Sequence, residues 1–251
     1  MKKIMVLSTW FFIMSMAFSQ PVKDSLQAGN IYYSDDDYEA AIRTYEWVLD
    51  QGFEAPELYY NLGNAYFKTN RIPYAILNYE RAMLLDPGNE DIQYNLELAR
   101  SFIVDKIEEV PLFFISEWHH ALVNLFSSDV WAYVSMATFL MFLFSISVYL
   151  YSRTYVLKKL FFWFSVILIY TTISSFVFSY HHKKLIEEPG AGIVTRPSVT
   201  VESSPDESGT DLFLVHEGTK VFIREYVGDW MRIRLSDGKE GWVPVDSIIE
   251  I

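Results

Sequence analysis

Cysteine is absent from all 251 residues. Its absence excludes a thiol nucleophile, a thiolate metal or iron–sulfur site, a disulfide framework and a lipid-modified N-terminal cysteine. Positive charge is scarce. The formal net charge is −12, and between residues 20 and 110 there are 17 Asp or Glu against 7 Lys or Arg. No nucleic-acid partner is expected, because phosphate binding needs a basic surface; the plain reading of the acidity is a solvated face. Catalytic signatures are missing as well: no glycine-rich phosphate loop, no G-x-S-x-G elbow and no H-E-x-x-H helix. The chain is therefore expected not to be an enzyme, with no catalytic, cofactor-binding or metal residues to nominate. Asp35-Asp36-Asp37 lacks the glycine and distal glutamate of a calcium loop. In the pairs His119-His120 and His181-His182 adjacent side chains diverge by about 100° on a helix, so neither pair chelates alone.

Charge is also missing from two long apolar runs, residues 130–151 and 160–180. Each is long enough to cross a hydrocarbon core of about 30 Å. The expectation is a transmembrane hairpin whose loop, residues 152–159, carries Arg153, Lys158 and Lys159 on the cytoplasmic side. A hairpin crosses twice, so both flanks lie on one side. With no ionisable residue in either run, an ion path is disfavoured. Thr171, Ser175 and Ser179 recur at every fourth residue and are candidates for membrane-helix packing.

The first residues set the expected side. Lys2 and Lys3, an apolar stretch from Ile4 to Met16, and the small-x-small ending Ala17-Phe18-Ser19 make residues 1–19 a signal peptide. The other reading is a retained anchor; under both, the region after residue 19 is exported, which implies an inner-membrane protein with its domains in the periplasm. Residues 111–127 read as an interfacial amphipathic segment, apolar along Ile115, Trp118, Leu122, Leu125 and Phe126.

From residue 24 to 108 the sequence repeats with a period of 34. Gly29, Asn30, Tyr32, Ala41, Ile42, Tyr45 and Glu46 recur as Gly63, Asn64, Tyr66, Ala75, Ile76, Tyr79 and Glu80. Tyr94, Asn95 and Leu96 mirror Tyr60, Asn61 and Leu62, which predicts two helical hairpins and a capping helix. Gly63 and Ala75 are small where two helices cross, Tyr66 and Tyr79 fill the space beside them, and Pro87 stops the second helix. These positions resemble the tetratricopeptide repeat family. That resemblance implies an α-helical solenoid with a concave protein-binding face, and the candidate partner-binding residues are Asn30, Tyr33, Asn61, Asn64, Phe67 and Asn95. Two repeats and a cap are near the lower limit for independent stability, so the membrane or a partner is expected to help hold them.

Residues 190–251 change character to short strands and turns. Lys220–Tyr226, Trp230–Leu235 and Glu240–Val245 are strand-like, and Asp237-Gly238 is a hairpin signal. Met231, Ile233 and Leu235 alternate with Arg232 and Arg234. With His216-Glu217-Gly218-Thr219, Gly228-Asp229-Trp230 and Gly241-Trp242-Val243, the stretch resembles bacterial SH3-like domains of cell-envelope proteins. The resemblance implies a small all-β SH3-like barrel. Tyr226, Trp230 and Trp242 are candidate ligand-binding residues, although Trp230 and Trp242 could instead close the barrel core, the reading preferred for Trp242.

The whole order resembles the BatE-type family of aerotolerance-operon proteins of Bacteroidetes. That resemblance implies a multidomain membrane protein acting as an interaction scaffold with other Bat proteins in stress or oxygen tolerance. Peptidoglycan bound through the SH3-like domain is the alternative partner. In this reading the hairpin is a tether that keeps two interaction modules close together.

Overall fold

The computed structural model describes residues 23–107, 118, 121–187, 190–206 and 208–251. The signal segment 1–19 and most of the interfacial segment 111–127 lie outside the described residues. The chain divides into two compact units. One gathers the helical array and Ala191–Ile251, and the other contains Leu84–Asn89 and the apolar hairpin.

Five helices form the array: α1 (residues 23–34), α2 (Tyr38–Asp50), α3 (Pro56–Lys68), α4 (Ile72–Leu85) and α5 (Glu90–Arg100). The period of 34 is visible in the backbone itself, since the α1–α2 and α3–α4 turns each place one non-glycine residue in the left-handed region, Asp36 (φ 62°) and Asn70 (φ 60°). Asx side chains tolerate that conformation and also cap helix N-termini. Asp37 accepts the Ala40 N–H at 3.1 Å, and Pro56 opens α3 at a position where no intrahelical donor is lost. The next equivalent residue, Val104, is β-branched and unsuited to that turn, and among the described residues after α5, 101–107, no further helix follows.

Close crossing explains the repeated glycine. A Cβ on Gly63 would stand 2.7 Å from the Tyr79 ring, and Tyr79 itself is buried. The core runs through Ala41, Tyr45, Leu58, Leu62, Ala75, Ile76 and Tyr79. Buried residues occur all round α4, including Leu77, Asn78 and Glu80, so it is a central helix covered on more than one face.

The β-domain supplies that cover. Its strands are β1 (Ala191–Val194), β2 (Ser198–Glu202), β3 (Asp211–His216), β4 (Lys220–Val227), β5 (Trp230–Arg234), β6 (Glu240–Pro244) and β7 (Ile248–Glu250). They form one antiparallel sheet in the order β3-β2-β6-β5-β4-β1-β7. The expected closed barrel is therefore corrected to an open sheet, because the end strands β3 and β7 do not pair. The β7 end is covered by other means: Ile249 and Ile251, with buried Ile193 of β1, pack into the helical core. An uncovered strand edge is a liability, and burying this end against helices removes part of it. The second core, Val199, Val201, Val215, Met231, Ile233 and Val243, is formed by the inward-facing side chains of the sheet.

Ile193, Ile249 and Ile251 of the β-domain pack into the helical core, so the chain's own sheet helps to hold the short array.

The hairpin unit consists of α6 (Ser128–Tyr151) and α7 (Tyr155–Glu187). The loop expected at 152–159 shrinks to residues 152–154, and the second helix extends well beyond 160–180. Lys158, Lys159, Lys183 and Lys184 end the apolar run but not the hydrogen-bond ladder, since long cationic side chains can reach water from a continuing helix. The hydroxyl seam is also redrawn. Ser135 donates to the Thr172 carbonyl (3.1 Å), Thr172 to Thr138 (2.9 Å), Ser145 and Ser165 share a bond (2.9 Å), and Ser179 donates to the Ser128 carbonyl (2.9 Å). Ser175 is buried, but Thr171 bonds, among the described residues, to Ile167 of its own helix. A seam between long helices follows steps of three and four, as in 165, 168, 172, 175 and 179, whereas a strict step of four drifts round the helix.

Candidate interaction surfaces

The first surface is a groove along α1, α3 and α5. Tyr33, Tyr60, Asn64, Phe67, Lys68, Tyr79, Asn95 and Leu98 line a space of ≈ 310 Å³. The asparagines nominated from sequence form its polar ladder. Asn30 Oδ1 accepts from the Tyr45 hydroxyl (2.7 Å) and from Asn61 Nδ2 (3.1 Å). One period later Asn64 Oδ1 accepts from the Tyr79 hydroxyl (2.7 Å) and Asn95 Nδ2 (3.1 Å), and Asn95 also donates to Tyr60 (2.8 Å). Burial pushes the Tyr45 hydroxyl up to about 12, with Tyr33 adding to the shift, so it stays a donor at any physiological pH. Tyr79 is raised further for the same first reason.

The ladder thus fixes α1, α3 and α5 to one another, with the Asn30 and Asn64 oxygens each already holding two donors. Tyr33 and Phe67 are only half-buried, and beyond them Leu98 and Phe102 leave apolar surface in water. All six nominated residues lie on these helices, but they divide into structural amides and half-buried rings. A partner would meet the rings, with Lys68 supplying a cation at one end.

The second surface is the outer face of the sheet. Met231, Ile233, Gly241 and Val243 point inward, which puts Trp230 and Trp242 on the opposite side, half-buried, opposite Pro244 and Arg232. Trp242 therefore does not close the core; Val243 does. Tyr226 separates from the two tryptophans, since it pairs opposite inward-facing Met231 and donates to Glu250 of β7 at 2.6 Å. A bulge between Ile223 and Glu225 shifts the alternation by one residue and causes this split.

A third set of residues, between the array and the sheet, was not nominated from the sequence. Buried Glu80 of α4 receives Arg100 of α5 on one oxygen and Lys220 of β4 on the other, the latter at 2.7 Å. Burial alone would raise the Glu80 pKa, but Lys220 and Arg100 outweigh it and hold the carboxyl below its ordinary range. Asp105, just past α5, accepts the His216 backbone N–H (2.7 Å), meets His216 Nδ1 (2.8 Å) and accepts the Thr219 hydroxyl (2.8 Å). Asp105 is also held low: burial raises it and is outweighed by these His216 and Thr219 hydrogen bonds. The turn it grips needs Gly218 in the left-handed region (φ 84°).

The repeat register shows what this set replaces. In the first interval Tyr66 donates to Glu46; one period on, Arg100 meets Glu80. The charged version adds Lys220, so the β-domain stands against α4 where a further repeat would have stacked. The one sequence sign of it was the change from Tyr66 to Arg100 at a repeat position.

Residues 29–70 match the TPR repeat family, residues 56–89 the tetratricopeptide repeat, and residues 198–248 the bacterial SH3 domain. The chain thus joins a tetratricopeptide array to a bacterial SH3 domain. No curated protein matches it.

Proposed function

We propose that this chain is a non-catalytic, membrane-anchored adaptor of the bacterial cell envelope. The observation that carries the reading is the groove on α1, α3 and α5, whose asparagines are tied up in a ladder within the array while the Tyr33 and Phe67 rings and the Leu98 side chain remain available for a partner segment. Tetratricopeptide repeats suggest protein partners, and the bacterial SH3 match suggests the envelope.

The anchor is the hairpin. Both helices are long and apolar, and only 11% and 17% of their most apolar windows are buried, which is unlike the core helices of a water-soluble domain. The hydroxyls of Ser135, Ser145, Ser165, Thr172 and Ser179 bond across the helix pair or to their own helix, an arrangement a bilayer favours. Both flanks fold into one unit, so both lie on the same side of that bilayer. The N-terminal export pattern and the loop cations Arg153, Lys158 and Lys159 favour the periplasm for that side. The module order supports a role beside other Bat proteins in aerotolerance or stress.

Photo-crosslinking from Phe67 and Leu98 in native membranes tests the adaptor reading. A discrete partner adduct is expected from both positions, and the adduct from Leu98 should be lost when Tyr33 and Phe67 are replaced by Glu in a chain that still folds; no adduct, or a Leu98 adduct indifferent to those substitutions, refutes it. A second reading, peptidoglycan binding on the outer sheet face, is favoured by Trp230 and Trp242 sharing that face. The detergent-solubilised chain should then be retained on purified sacculi, and Trp230→Ala with Trp242→Ala should release it.

A further inference from the structure

A cleft of ≈ 230 Å³ opens where the segment after α5 passes the β3–β4 turn and the side of β4. Three cations reach it, Arg100, Lys106 and Lys220, together with the hydroxyl of Ser236 and the ring of Phe222. This is an unusual concentration in a chain whose formal net charge is −12. We propose that the cleft binds the free carboxylate of a short peptide, a function separate from the groove and from the outer sheet face.

Charge supplies the first argument. Arg100 and Lys220 share a single carboxylate, that of Glu80, so this buried cluster carries one uncompensated positive charge. Their side chains keep 39% and 31% exposure, leaving donors free toward the cleft. Lys106 has no ion partner, and the Ser236 hydroxyl no hydrogen-bond partner, among the described residues. The wall's own carboxylate, Asp105, has its oxygens engaged by His216 and Thr219.

Size and lining supply the second. The space is smaller than the ~300–1,000 Å³ of sites for drug-sized ligands, so it suits a small acid or a chain end. Ile103, Ile107 and Phe222 give it apolar walls beside the cations. A carboxylate flanked by small alkyl groups, as on a terminal alanine, satisfies both halves. Phosphate alone would use the cations and waste the apolar wall.

The test uses the full chain in detergent micelles and calorimetric titration with acetyl-D-Ala-D-Ala, acetyl-L-Ala-L-Ala and the amides of both. At least one acid should bind saturably, with its amide about tenfold or more weaker, because a charge-assisted bond is lost. Lys106→Glu and Ser236→Ala should each weaken the acid by about three- to tenfold while leaving the thermal unfolding midpoint in place, since neither side chain holds the fold. Preference for the D,D acid identifies a wall-derived peptide, and preference for the L,L acid a protein C-terminus; both support the site. Failure of both acids to bind, equal binding of acid and amide, or indifference to Lys106→Glu overturns it.

Discussion

Replacing Glu80 with Gln removes one negative charge from the middle of the helix–sheet core and changes almost nothing else in shape. Arg100 and Lys220 would then face each other across a neutral amide that accepts on one atom only. Breaking a buried ion pair by deleting one partner costs about 3–5 kcal/mol. Here the two cations are about one-third exposed and can recover water, so a loss of about 2–3 kcal/mol is expected. For a folded unit of this size that lowers the thermal midpoint by about 5–10 °C. The repeat provides a built-in control. Glu46→Gln alters the equivalent contact one period earlier, where an exposed carboxylate accepts from a neutral tyrosine, and about 1 kcal/mol or less should be lost. The assay is circular dichroism unfolding of the detergent-solubilised chain, followed at 222 nm and in the near-ultraviolet, with a double-mutant cycle to Lys220→Met. Equal losses for the two glutamines, or a Glu80–Lys220 coupling below about 0.5 kcal/mol, would refute the view that this cluster joins array to sheet.

Acid should loosen the same unit. Glu80 and Asp105 both titrate below their ordinary values, so the stability they add is complete at neutral pH. It disappears as pH falls from about 4.3 through their lower folded values, and Glu80→Gln should flatten that acid limb in unfolding curves. Gly63→Ala drives a Cβ toward the Tyr79 ring and should destabilise the array by about 1–3 kcal/mol in urea titrations; no loss would contradict the close crossing. Within the hairpin, Ser145→Ala with Ser165→Ala should weaken helix pairing by about 0.6 kcal/mol, at most about 1.7, measured by steric trapping in bilayers, whereas Thr171→Ala should have no effect. Because the chain has no cysteine, single cysteines at Asp50 and Ser204 can report topology: an impermeant maleimide should label both from one side.

The period of 34 announced the array before any coordinates. Gly63 beside Tyr79, the Asx turns at Asp36 and Asn70, and the helix-crossing alanines are all local or one-period consequences of the sequence. The amide ladder was half legible: its asparagines were nominated for a partner, but their first duty is to bond the tyrosines of the neighbouring helix. The alternation in β5 likewise gave Met231 and Ile233 their inward direction, whereas the bulge in β4 that moves Tyr226 away from Trp230 left no recognisable mark. Of the stripe on α7, Ser175 is buried and Ser179 bonds across to α6 while Thr171 bonds within its own helix, because the seam steps by three and four and passes through Thr172 instead.

Periodicity, apolar run length and turn chemistry act over distances of a few residues to one repeat, and by themselves they determined the modules and their order. How those modules meet was decided only in three dimensions. Glu80 and Lys220 are 140 positions apart, and Asp105 and Thr219 are 114 apart, with the whole apolar hairpin between them. No local rule connects such residues. Their pairing follows from the incomplete burial of α4 at the open end of a two-repeat stack, a surface that the chain's own sheet was available to cover.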